Sequence, residues 1–121
     1  MDHFFQIRVI GPAEHEMLES YSTLAYLAGL TQRIKLGTQC IIVPWHNPTR
    51  LAEYIINLDI LSGGRAILGF GGGLSPEEFA GMGIDQNKAR ALYNDILDVL
   101  IPALETGVIE KTTAQELRVQ A

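Results

Sequence analysis

Residues 52–73 read Ala-Glu-Tyr-Ile-Ile-Asn-Leu-Asp-Ile-Leu-Ser-Gly-Gly-Arg-Ala-Ile-Leu-Gly-Phe-Gly-Gly-Gly. Their order decides the fold class. An amphipathic helix stops at Ser62-Gly63-Gly64, a short apolar strand follows, and the strand opens into glycines. This is one helix-to-strand unit of an α/β barrel or wound sheet.

Upstream, Pro48 suits the first turn of that helix, where its missing N–H costs no bond. Leu51, Ile55 and Leu58 then line one face as far as Leu61. Gly63 can adopt the left-handed conformation that ends helices. Before the helix, Pro44 and Pro48 bracket a loop, Trp45-His46-Asn47. Before the loop, residues 34–43 are apolar and rich in β-branched side chains, a pattern that suits a parallel strand covered on both faces. Glu16 to Leu30 predicts an earlier helix, with Met17, Leu18, Tyr21, Leu24, Ala25 and Ala28 as its apolar stripe.

Downstream, Arg65 to Phe70 is the second strand. Ser75-Pro-Glu-Glu78 matches a capping box and starts a short helix ending near Met82. Gly83-Ile-Asp-Gln-Asn87 is a loop. From Lys88 to about Leu104 a long helix is expected, with Leu92, Ile96, Val99, Leu100 and Ala103 facing the core. A weaker helix is expected over 113–119. Strands alternating with helices imply parallel pairing. Two clear strands make a poor sheet alone, so the chain reads as part of a larger α/β fold or as a protomer that completes its sheet with a partner.

The 121 residues suggest a single domain, and a 47% hydrophobic content can fill a core. A formal net charge of −5 argues against a nucleic-acid partner. No apolar run is long enough to span a membrane, and the N-terminus lacks the pattern of a signal peptide. The single cysteine, Cys40, excludes a disulfide framework, and a cytoplasmic location is expected.

Few side chains carry chemistry at telling spacings. The run Gly69-Phe-Gly-Gly-Gly73 ends a strand, where bare backbone lets a ligand approach closely. The same run equally describes a tight strand-to-helix turn, and Leu74 breaks the dinucleotide fingerprint. Asp2-His3 could be an acid–base pair or could hold a cofactor, but terminal residues are usually mobile. Capping and the helix dipole account for Glu78 and Glu77. His46 is either a substrate contact or surface, His15 reads as solvated, and Cys40 reads as a small buried hydrophobe.

Seven stretches share a further property. Met1-Asp-His-Phe-Phe-Gln-Ile7, Met17-Leu-Glu19, Leu24-Ala-Tyr-Leu-Ala28, Thr31-Gln-Arg-Ile-Lys-Leu-Gly-Thr38, Asn47-Pro48, Leu58-Asp-Ile-Leu-Ser-Gly-Gly-Arg65 and Leu68-Gly-Phe-Gly71 occur in the order and spacing of the bacterial-luciferase-like oxidoreductases. The resemblance covers roughly residues 1–100. The opening Asp-His-Phe-Phe-Gln is most similar to the deazaflavin-dependent branch.

The resemblance implies a partial (β/α)8 TIM barrel that binds reduced FMN or the deazaflavin coenzyme (F-420) and acts on a small organic substrate. The usual barrel has eight strands and about 250 residues. A truncated member is therefore expected, lacking the family's first strand and everything after the fourth helix. By the same mapping His3 is the catalytic candidate. Asp2, Gln39, Cys40, Gly71, Gly72 and Gly73 are the cofactor-binding candidates, and His46 and Asn47 the substrate-binding ones. No metal ligands are expected. The bond matching the family's non-prolyl cis peptide is Gln39–Cys40. At positions 72–74, where some relatives carry a polar or aromatic side chain, this chain has glycine and leucine.

Residues 101–121 do not resemble the family's continuation and are expected to form a separate helical tail. Ile101-Pro-Ala-Leu-Glu-Thr-Gly-Val-Ile109 is faintly similar to the closing helices of amidohydrolase-type barrels. The resemblance thus implies an oxidoreductase, monooxygenase or dehydrogenase, that forms homo-oligomers. The rival reading is a non-catalytic α/β remnant acting as a binding or oligomerisation module. A metal-dependent hydrolase fragment is a third.

Overall fold

The computed structural model describes residues 2–4, 6, 9–12 and 14–109. The helix expected over 113–119 lies outside them. The elements are α1 (Ser20–Leu30), β1 (Leu36–Ile42), α2 (Pro48–Leu61), β2 (Ala66–Gly71), α3 (Pro76–Gly81) and α4 (Ala89–Thr106), with 3-10 turns at Val43–Trp45 and Gln86–Lys88.

β1 and β2 pair in parallel, with α2 as the connection. Leu36 stands opposite Ala66, Gly37 opposite Ile67 and Thr38 opposite Leu68; the register resumes at Ile41 opposite Phe70 and Ile42 opposite Gly71. Gln39 and Cys40 therefore share the single position opposite Gly69. The Gln39–Cys40 bond is cis, as the resemblance implied.

The helices cover one face of this strand pair. Ile41, Leu51, Ile55, Leu92, Ile96 and Leu100 form the main core, with Phe70 packed against it. Leu36, Ala28 and Leu58 form a second cluster that Ala66 joins. Strand alternation puts Gly37, Ile67, Gly69 and Gly71 on the opposite face. There Ile67 is 55% exposed. The sequence pattern predicted a first strand covered on both faces; on this second face the described residues cover only the end, where Ile42 is buried with Trp45, Phe79 and Ala89.

Helix limits follow from their caps. α1 begins four residues later than its apolar stripe suggested. The Glu19 carboxylate accepts from Tyr21 N–H at 3.0 Å and Ser22 N–H at 2.6 Å, which fixes the start. Met17 and Leu18 thus precede the helix. The α2 limits and its Leu51, Ile55 and Leu58 stripe are as predicted, and Gly63 is left-handed at φ 67°. The α4 stripe is also buried as predicted. That helix runs from Ala89 to Thr106, close to the predicted span of Lys88 to Leu104.

Arg65, between α2 and β2, joins the elements. Its side chain is buried, yet every guanidinium N–H is used. Nε donates to Ser62 O at 2.6 Å. Nη1 donates to Thr31 Oγ1 at 2.8 Å and Ile34 O at 3.0 Å, and Nη2 to Ala28 O at 3.0 Å and Thr31 O at 2.9 Å. A planar fork with five donors suits carbonyls left open at the end of α1.

Candidate functional site

The two parallel strands end side by side, and so do the segments that leave them. β1 runs into Val43–Trp45 and His46. β2 runs through Gly72 and Gly73 into α3. Asp2, His3 and Phe4 are bonded to both exits, so this end of the sheet gathers most of the chain's chemically capable side chains.

Asp2 and His3 are not partners of each other. Asp2 Oδ2 accepts from Ile42 N–H at 3.0 Å and from His46 Nε2 at 2.6 Å, and Oδ1 accepts from Ser20 Oγ at 3.3 Å. Burial alone would raise the Asp2 carboxyl. The His46 hydrogen bond and charge, with the Ile42 and Ser20 donors, outweigh it and hold the group below its ordinary value. His46 is thereby tied into the structure as a partner of Asp2, and Tyr21 packs edge-on against its ring at 5.6 Å. Burial pushes the Tyr21 phenol well above its usual range, and the Asp2 and Glu19 charges add to this.

His3 turns to α3. Its Nδ1 lies 2.7 Å from Glu78 Oε2, and Glu78 Oε1 accepts from Phe4 N–H at 2.9 Å. Glu78 is 1% exposed. Sequence reasoning assigned Glu78 to capping, and half of that holds. Ser75 Oγ accepts from Glu78 N–H at 3.4 Å, while the Glu78 carboxylate reaches His3 and Phe4. A buried carboxylate needs donors, and the local helix offers it none as good as these. Its partners stand some 75 residues away in sequence, so no local spacing signals the pairing.

Trp45 is the centre of the aromatic packing. Its ring meets His3 at 6.0 Å, Phe4 at 5.7 Å and Phe79 at 5.6 Å, all near edge-to-face. Its buried indole Nε1 has no hydrogen-bond partner among the described residues, nor do the buried hydroxyls of Tyr21 and Thr38.

The remaining candidates divide. Cys40 is half-buried; its Sγ lies against Gly71, where an added Cβ would collide with it. Gln39 is exposed beside it. Gly73 has φ +86°, and a Cβ there would come within 2.7 Å of the Phe79 ring and 2.9 Å of Ile42. A Cβ at Gly72 would meet nothing within 4 Å. Thus Gly71 and Gly73 serve the fold directly, and Gly72 is the open position of the run. Asn47, the other substrate-binding candidate, caps α2: its Oδ1 accepts from Thr49 N–H at 2.9 Å and Arg50 N–H at 3.2 Å. His15 is exposed, as expected.

Parallel strands joined by a crossover helix, with polar residues gathered at their C-terminal ends, match a sector of an α/β barrel. A family model described as luciferase-like monooxygenase matches residues 7–119. The chain belongs to the luciferase-like monooxygenase family.

The chain is 39% identical over 77 residues to 4-hydroxyprotoasukamycin monooxygenase of Streptomyces nodosus subsp. asukaensis, a match covering 64% of this chain and 21% of the relative. It is 34% identical over 108 residues to the alkanal monooxygenase alpha chain of Photorhabdus luminescens, covering 89% and 28% respectively. Monooxygenase RslO1 from Streptomyces bottropensis superposes with a TM-score of 0.69 at 25% identity, over 91% of this chain and 35% of that one. The chain thus spans about a quarter of the length of the curated relatives it matches.

No group of three His, Cys, Asp or Glu side chains among the described residues is arranged to hold a metal ion. No helix among them is long and apolar enough to cross a membrane.

Proposed function

We propose that this chain provides the cofactor-facing strand ends of an FMN-dependent monooxygenase acting on a small organic substrate. The observation that carries the reading is the convergence of Asp2–His46 and His3–Glu78 at the ends of β1 and β2. Both histidines are held there by carboxylates, so polar groups are fixed in place beside bare backbone.

The residues fit a flat, polar-edged ring. Gly37 and Gly69 thin the side chains of the open sheet face, and the Cys40 side chain lies over Gly71. The Gly72 backbone is accessible, and the Trp45 indole N–H is an unspent donor at the same end. Gly71, Gly72, Gly73, Gln39 and Cys40 would border the ring. Asp2, through His46, fixes the loop after β1. When bound, reduced flavin supplies the electrons that monooxygenation needs. The protein's part is to hold the ring against the strand ends and to place His3 where it can hold or move a proton.

Titration with FMN and with F-420, each oxidised and reduced, tests the reading by absorbance and fluorescence. We expect reduced FMN to bind best. The deazaflavin arms test the cofactor suggested by Asp2-His3-Phe4-Phe5-Gln6. No signal with any of the four at high concentration would remove the cofactor reading and leave a non-catalytic binding or oligomerisation module.

A further inference from the structure

Two of the contacts of Glu78 constrain each other chemically. Oε1 receives the backbone N–H of Phe4, a group that can only donate. Oε2 faces His3 Nδ1. A carboxylate has no proton to give, so the proton of that second bond must sit on Nδ1. The ring's other nitrogen, Nε2, has no hydrogen-bond partner among the described residues. In neutral His3 it therefore carries a lone pair.

We propose that Glu78 is a positioning residue: it locks His3 with its proton on Nδ1, so that Nε2 faces a ligand at the strand ends as an acceptor rather than a donor. The ring's aim is set by the same contacts. Glu78 holds one edge, the adjacent Phe4 backbone is bonded to the same carboxylate, and Trp45 packs against the ring at 6.0 Å. Carboxylates play this part for histidine elsewhere, fixing tautomer and orientation through the nitrogen that does not react. Glu78 is suited to it because burial leaves water little access to the bond. The ligand's identity as a flavin or its substrate rests on the function proposed above; the tautomer does not.

The geometry makes E78Q an inverting substitution. The Phe4 N–H still requires an acceptor, so the glutamine carbonyl takes the Oε1 place. The amide NH2 then faces His3 Nδ1 and can only donate to it. His3 must move its proton to Nε2, with the tie between α3 and the N-terminal segment retained. A residue that merely fastened the segment would change stability and leave the tautomer alone.

Long-range 1H–15N spectra of the imidazoles, recorded over a pH series, read the proton's position directly in the neutral ring. The His3 signals are assigned by their loss in H3A. We expect Nδ1–H in the native chain and Nε2–H in E78Q. Where the native chain binds reduced FMN, E78Q should bind it about tenfold or more weakly, and E78D should recover part of the loss. Native His3 protonated on Nε2, an unchanged tautomer in E78Q, or equal FMN affinity of the two proteins would each overturn the proposal. The native spectrum tests it even if E78Q fails to fold. A native chain that binds no flavin but shows Nδ1–H removes the flavin reading and supports the positioning role.

Discussion

His46 Nε2 lies 2.6 Å from Asp2 Oδ2, and the same oxygen accepts the Ile42 backbone N–H at 3.0 Å. One carboxylate thus ties the start of the chain to the last residue of β1 and to the loop beyond it. The pair gives the fold a pH-dependent element.

The Asp2 carboxyl lies below its ordinary 3.8 in the folded state. Folding favours its ionised form, so its contribution is fully present above the unfolded value and disappears as pH falls through the lower folded value. D2N cannot ionise and lacks that contribution at every pH. Urea unfolding should show D2N less stable than the native chain at neutral pH, with the two converging in acid below pH 3.8. Glu19 is also depressed, and the Asp2 charge works against that depression, so the difference reports Asp2 together with its coupling to Glu19. A gap that stays constant into strong acid would show that the Asp2 charge does not matter.

R65K should cost about 2–4 kcal/mol, although it keeps the charge. Lysine offers three donors from one point, and the Arg65 fork meets acceptors on Ala28, Thr31, Ile34 and Ser62. Buried carbonyls would lose their partners. Equilibrium unfolding in urea measures the loss, and a change within about 0.5 kcal/mol would place the value of Arg65 in its charge alone.

Adjacent glycines should respond in opposite ways. G73A forces a side chain onto a residue at φ +86°, with its Cβ within 2.7 Å of the Phe79 ring, and should destabilise by about 2 kcal/mol or more. G72A meets open space and should leave the melt within about 0.5 kcal/mol. If a ring lies on that backbone, G72A should nevertheless weaken FMN binding. Thermal melts and the flavin titration, run together, separate the two effects. Equal melting of G72A and G73A would contradict the described turn.

Ile67 on the open sheet face is 55% exposed, and Leu30, Ile60 and Leu61 are exposed by 63%, 70% and 66%. Wet apolar surface on this scale, beside unpaired strand edges, favours association. We expect sedimentation across a concentration series to show oligomers, and I67D to shift them towards monomer. A monomer with a sharp cooperative melt at every concentration would show that the chain satisfies its own surface.

Much of the fold was legible because its signals are local. Helix periodicity identified the buried residues of α2 and α4, the Asn47-Pro48 start and the Gly63 stop needed only neighbours, and the helix between two apolar runs implied their parallel pairing. The family resemblance located Gln39–Cys40. The same local logic assigned only half of what Glu78 does. Ser75-Pro-Glu-Glu is a sound cap by spacing, yet burial sent the carboxylate elsewhere.

By itself, then, the sequence determined the order of elements, their limits to within a few residues, their inward faces and the family. Each of these depends on residues a few positions apart, where spacing and backbone preference suffice. Only the tertiary structure decided the pairings that make the site. Asp2 meets His46 and His3 meets Glu78 because β1 and β2 end side by side and the N-terminal residues contact both. The protons of such buried polar groups are governed by whichever partner excludes water from them, and that partner is a matter of position in space.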